Sequence, residues 1–137
     1  MQSYNPAKTP DSDRWLASDE GSRLNLVRSF HEAEGTDFED EGAFNLHSCI
    51  HVLVENQLAL AVDLVPETLA KLQRQGLNRH EAIHAVGAVV CTDLFGLLKG
   101  NQTKFNPALY RRKLENLPPS DGKKANAKVV VYCITAG

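Results

Sequence analysis

Residues 43–62, AFNLHSCIHVLVENQLALAV, decide how this chain is read. Leu46, Ile50, Val54, Leu58 and Ala61 recur three and four residues apart, with Leu53 and Gln57 flanking them, which draws one apolar stripe along a helix. The stretch is too long for a strand, so the spacing predicts a buried helix. His47 and His51 fall within or beside that stripe, and a second long helical pattern downstream carries another histidine pair. The fold and the candidate chemistry therefore start from the same residues.

Downstream of this helix, Pro66 suits the first turn of a short helix in which Leu69 and Leu72 face inward, and Gly76 suits its left-handed stop. A longer helix is predicted from Asn78 to about Lys99, carrying Ile83, Val86, Gly87, Val90, Leu94, Leu97 and Leu98 on one side, with Gly100 ending it. Asn106 and Pro107 open a further helix that Pro118 and Pro119 close. Upstream, Leu24, Val27 and Phe30 mark a helix from Ser18 or Asp19 to Glu34, stopped by Gly35. An acidic connector, TDFEDEG, follows it. The expectation is an all-α fold, a compact bundle of four to five helices spanning 15–117. A flexible arm is expected over 1–14, and an extended or β-prone tail over 118–137, where Val129, Val130, Val131 and Tyr132 lack a partner strand.

With 137 residues, 42% of them apolar, the chain has the size and composition of a single soluble domain. No stretch has the apolar length of a membrane span, and MQSYNPAKTPDSDRW does not read as a signal peptide, so a cytoplasmic location is expected. Cys49, Cys91 and Cys133 form no C-x-x-C pair and are odd in number, which argues for thiols over a disulfide framework. Residues 1–55 hold 11 acids and 4 bases, and residues 56–137 hold 6 acids and 11 bases. The bases are scattered apart from Arg111, Arg112 and Lys113 and then Lys123, Lys124 and Lys128. Attraction between the two halves is therefore favoured over nucleic-acid binding. A homodimer is one way to give the C-terminal strand a partner.

All five histidines fall on predicted helices, and four of them form pairs spaced by four: His47 with His51, and His80 with His84. Residues four apart on a helix are separated by about 40° around its axis, so each pair can reach a common point. Glu55 continues the first row and Glu81 lies beside the second. If the two helices touch, His47, His51, His80 and His84, with Glu55, can hold a divalent transition metal, zinc among them, because neutral imidazole is a good donor to such ions. His31 ends its helix, where a cation suits the dipole, and reads as a cap. Cys91, seven residues after His84, reads as a buried structural thiol before a ligand.

Residues 76–86, GLNRHEAIHAV, also contain the H-E-x-x-H spacing of zinc peptidases, with Glu81 as the candidate catalytic base. Two features weigh against proteolysis. The motif stands at the start of its helix, and so short a chain has no room for a substrate-cleft sheet. Asn78 followed by Glu81 is equally a capping box, which explains the glutamate without catalysis. Three readings remain open: a metal-binding helical protein, a minimal metal-dependent hydrolase acting through Glu81, and a metal-free helical adaptor or dimerisation module. Substrate and biological role are not legible in the residues.

The segments RLNLVRSFHEAEG, IHVLVENQLALA and GLNRHEAIHAVGAVV, in this order, resemble a family of small bacterial proteins classed as a domain of unknown function. The similarity covers roughly residues 15–117, and its specific parts are Val54–Gln57 and the block from Arg79 to His84. It implies a bacterial cytoplasmic context and these domain bounds, and no reaction.

Overall fold

The computed structural model describes residues 3–98 and 106–118. Within them the chain forms α1 (Ser12–Ala17), α2 (Glu20–Glu34), α3 (Glu41–Ala59), α4 (Val65–Arg74), α5 (Arg79–Leu98) and α6 (Pro107–Glu115), with no strand. The expected all-α bundle is what forms. The β-prone run Val129–Tyr132 lies outside the described residues. No described helix is long and apolar enough to cross a membrane.

Short polar residues start most of these helices. The Asp11, Asp19, Asp40 and Asn106 side chains accept amides from Arg14, Ser22, Ala43 and Leu109, each satisfying an orphan donor of a first turn. At α5 the capping box is complete: Asn78 Oδ1 accepts the Glu81 amide at 2.8 Å, and Glu81 Oε1 accepts the Asn78 amide at 2.9 Å. Gly35 and Gly76 follow α2 and α4 with φ of 71° and 106°, the left-handed stops their positions imply. Helix α1 is short for periodicity to reveal.

The centre of the bundle is α3, which packs against α5, α2 and α1, while α4 and α6 pack on α5. Its buried face is wider than one stripe: Phe44, His47, Ser48, His51, Val52 and Glu55 are buried as well as Ile50 and Val54. Leu53, expected beside the stripe, is exposed, and Ala61 lies past the helix end with φ of 52°. The difference follows from neighbours on several sides of α3, where a single stripe assumes one.

The block Val54–Gln57 works as a hub. Val54 is fully buried in the core with Leu72, Ile83, Val86 and Leu114. Asn56 Oδ1 accepts both Trp15 Nε1 of α1 at 2.8 Å and an Arg23 guanidinium N–H of α2 at 3.1 Å. Gln57 Oε1 accepts the Tyr110 hydroxyl of α6 at 2.7 Å. Glu55 is taken by α5, as described below. Four consecutive residues thus tie α3 to different elements, which is why the helix sits in the middle.

Helices α3 and α5 are in close contact at Gly87, where a Cβ would stand 2.7 Å from Ile50 Cγ2. Ile50 is itself buried and branched, so it cannot swing aside. Replacing Gly87 with Val is expected to force α3 and α5 apart and to cost about 1–3 kcal/mol. A thermal melt checks this, and an unchanged midpoint would mean that the two helices do not meet this closely.

Candidate metal centre

Five imidazoles converge where α2, α3 and α5 pack, and they are all the histidines of the chain. His31 comes from the last turn of α2, His47 and His51 from α3, and His80 and His84 from the first turns of α5. His51 is fully buried, with ring centroids 4.7 Å from His31, 4.8 Å from His47 and 5.1 Å from both His80 and His84. His80 and His84 are 4.4 Å apart, and His47 lies 5.0 Å from His84. The two histidine rows expected from sequence are brought together, and His31 joins them.

Outer contacts fix how two of the rings point their lone pairs. His31 Nδ1 lies 2.9 Å from the Val27 carbonyl, which can only accept, so Nδ1 carries the proton and Nε2 is the lone pair. Tyr4 donates its hydroxyl to Glu55 Oε2 at 2.6 Å, and burial, reinforced by the Glu55 charge, raises its pKa well above the ordinary value. The same oxygen lies 3.3 Å from His51 Nδ1. With its one proton given to Glu55, Tyr4 accepts from His51 Nδ1–H, leaving His51 Nε2 as a lone pair 3.1 Å from His84 Nε2. Ligating histidines characteristically have their other nitrogen engaged in this way.

Glu55 is held in turn by Arg79, whose two terminal nitrogens reach Oε2 and Oε1 at 2.9 and 2.7 Å. Both side chains are buried, at 5% and 1% exposure. One Arg79 nitrogen also donates to the Pro6 carbonyl at 2.9 Å. The N-terminal segment is docked through these contacts and through Tyr4, which packs with Trp15, Val27 and Val52. Of the ion pairs among the described residues, Glu55–Arg79 links the acidic first half to the basic second half. Arg111 and Lys113 pair instead with Asp63, Glu115 and Asp93 of their own half.

The remaining candidates are placed as follows. Glu55 lies one turn beyond His51 but faces Arg79 and Tyr4, so it orients His51 from behind. Glu81, the candidate base, has its carboxylate on the Asn78 amide. Cys91 is buried beside Ile50, and neither histidine set that can hold an ion includes it.

Inside the cluster, His31 Nε2, His47 Nδ1 and His80 Nε2 are buried without a hydrogen-bond partner, although such atoms cost about 1–3 kcal/mol each. Burial first, then the neighbouring imidazoles, lower the pKa of His47 to about 3 and of His84 to about 2, and that of His51 well below its ordinary value. Burial likewise brings His80 to about 4 and lowers His31. The rings are therefore neutral near pH 7, the state in which imidazole binds metals. Donor atoms of His47, His51 and His84 lie mutually within 4.8 Å, as do those of His31, His51 and His80. The buried histidines can hold a metal ion.

Sequence reasoning missed His31, Tyr4 and Arg79. His31 follows Val27 by one turn on the buried face of α2, a spacing that signals its inward direction. Arg79 stands next to His80 in the motif, but no pattern in the sequence connects Tyr4 to Glu55, 51 residues away. Comparison with protein-family models, with curated proteins and with solved structures gives no match for this chain.

Two outcomes follow from this geometry. Because folding lowers the histidine pKa values from 6.5, the metal-free protein has its full stability above about pH 6.5 and loses it as pH falls toward the folded values. Each proton bound by the unfolded chain alone adds a slope of about 1.4 kcal/mol per pH unit, so the melting temperature should drop steeply between about pH 7 and about pH 5. A flat profile there would contradict neutral buried rings. Separately, urea unfolding of Glu55→Ala, which strands Arg79, should show a loss of about 3–5 kcal/mol, and Tyr4→Phe a loss of about 1.5–3 kcal/mol. An unaffected Tyr4→Phe variant would mean that the tyrosine does not anchor the segment.

Proposed function

We propose that this protein binds one divalent transition-metal ion, zinc being the ion its donors suit, at His47, His51 and His84. The observation that carries the reading is the convergence of neutral His47, His51 and His84, whose donor atoms lie mutually within 4.8 Å, with His47 Nδ1 buried without a protein partner. An ion removes that cost by accepting the lone pairs. The 3.1 Å between His51 Nε2 and His84 Nε2 is near the separation of about 3.3 Å expected for two nitrogens on a tetrahedral zinc. The Tyr4–Glu55–Arg79 chain behind His51 supplies the outer support that metal ligands use. Three neutral protein ligands leave a position for water or a small anion, and an ion held in this way would polarise that molecule as a Lewis acid.

The role of Glu81 in this reading is to start α5. The test is elemental analysis of protein purified without a histidine tag, together with chelator melts. One equivalent of metal is expected, and excess metal at 100 times its Kd should stabilise the fold by about 2.7 kcal/mol, lost on chelation. Substoichiometric metal with a melting temperature indifferent to chelator would leave a metal-free helical module.

A further inference from the structure

The imidazoles sort into two ligand sets. His47, His51 and His84 form one and His31, His51 and His80 the other, and the five donors do not fall within a single 4.8 Å set. Nitrogens on opposite sides of one ion, bonded at about 2.1 Å, are at most about 4.2 Å apart. One ion therefore cannot take all five as the rings are placed. His51 is common to both sets. A neutral imidazole has its proton on one nitrogen and a lone pair on the other, so His51 serves one ion at a time.

An ion among His47, His51 and His84 leaves His31 Nε2 and His80 Nε2 buried with no partner. His31 is moreover set to accept, since its Nδ1 donates to Val27. These two rings are not second supports of the first set: their inward nitrogens end on nothing. They have the properties of ligands waiting for the same ion.

We infer that the cluster is a two-position site for a single divalent cation, with His51 as the pivot; the inference rests on the metal-binding reading above. In passing between positions the ion exchanges the bonds to His47 and His84 for bonds to His31 and His80. The exchange changes no oxidation state, and no net proton is gained or lost, because every ring binds as neutral imidazole. Each departing nitrogen is replaced by an arriving one, so the ion never faces the core with a single ligand.

The test uses the full, tag-free chain and zinc alone. Wild type should bind one zinc per chain, and zinc should move the ring nitrogen resonances of His31 and His80 as well as those of His47 and His84. His47→Gln with His84→Gln should keep a one-to-one complex through the other set, as should His31→Gln with His80→Gln, whereas His51→Gln should lose zinc. The inference is overturned by two zinc ions bound at once, by His31 and His80 resonances that zinc leaves unmoved, or by a folded His47→Gln, His84→Gln variant that binds none. Where a variant does not fold, the wild-type resonances decide. A wild-type protein that takes up no zinc overturns the metal-binding reading itself, and this inference with it.

Discussion

A neutral imidazole in a protein core must find a partner for its lone pair, and this chain buries a whole cluster of them. The rest of the arrangement answers to that constraint. Burial and mutual repulsion keep the rings uncharged, so they cannot be stabilised as cations by the nearby carboxylates. Their protons are directed outward where a carbonyl or a phenol is available, to Val27 for His31 and to Tyr4 for His51. His51 Nε2 and His84 Nε2 are left with one another, while His31 Nε2, His47 Nδ1 and His80 Nε2 have no protein partner, and such a set can hold a metal ion.

Fixing the rings in this way requires support from across the fold. Behind His51 stand Tyr4, Glu55 and Arg79, a buried pair of opposite charges with a phenol between carboxylate and ring. A buried ion pair contributes little net stability over an apolar packing, but its bidentate geometry fixes orientation. Here it also captures the N-terminal segment through the Pro6 carbonyl. The segment before α1 is too polar to order itself; the help comes from a tyrosine whose ring packs in the core and whose hydroxyl completes the chain to His51. Site and terminus are thereby coupled. On the other side, Gly87 lets α5 come close enough to α3 for the two histidine rows to face each other.

The H-E-x-x-H letters carry two separate meanings in this molecule. The histidines belong to the cluster, while the glutamate belongs to the helix start, bonded to Asn78. A sequence pattern that in zinc peptidases describes one site thus divides between a histidine cluster and a cap, because Glu81 turns back to the Asn78 amide while His80 and His84 face His51 of α3. What distinguishes the cluster is its excess of nitrogen donors over those one ion can use, centred on the single ring that belongs to both sets.

The helices and the two histidine rows are legible in the sequence. Both are local: apolar spacing, Asp and Asn caps, glycine stops and i, i+4 pairs are settled within a few residues by backbone geometry. It also pointed to α3 and α5 as the long central helices, though it drew the buried face of α3 too narrowly, since Leu53 is exposed and Ser48 and Val52 are buried. That the rows meet, that His31 joins them, and that Glu55 faces Arg79 and Tyr4 come from how the helices pack. Those outcomes depend on which helices pack together and on pairs as far apart as Tyr4 and Glu55. Helical periodicity has no term for such distances: it says which way a side chain points from its own axis, and what it meets there is set by the packing of the whole chain.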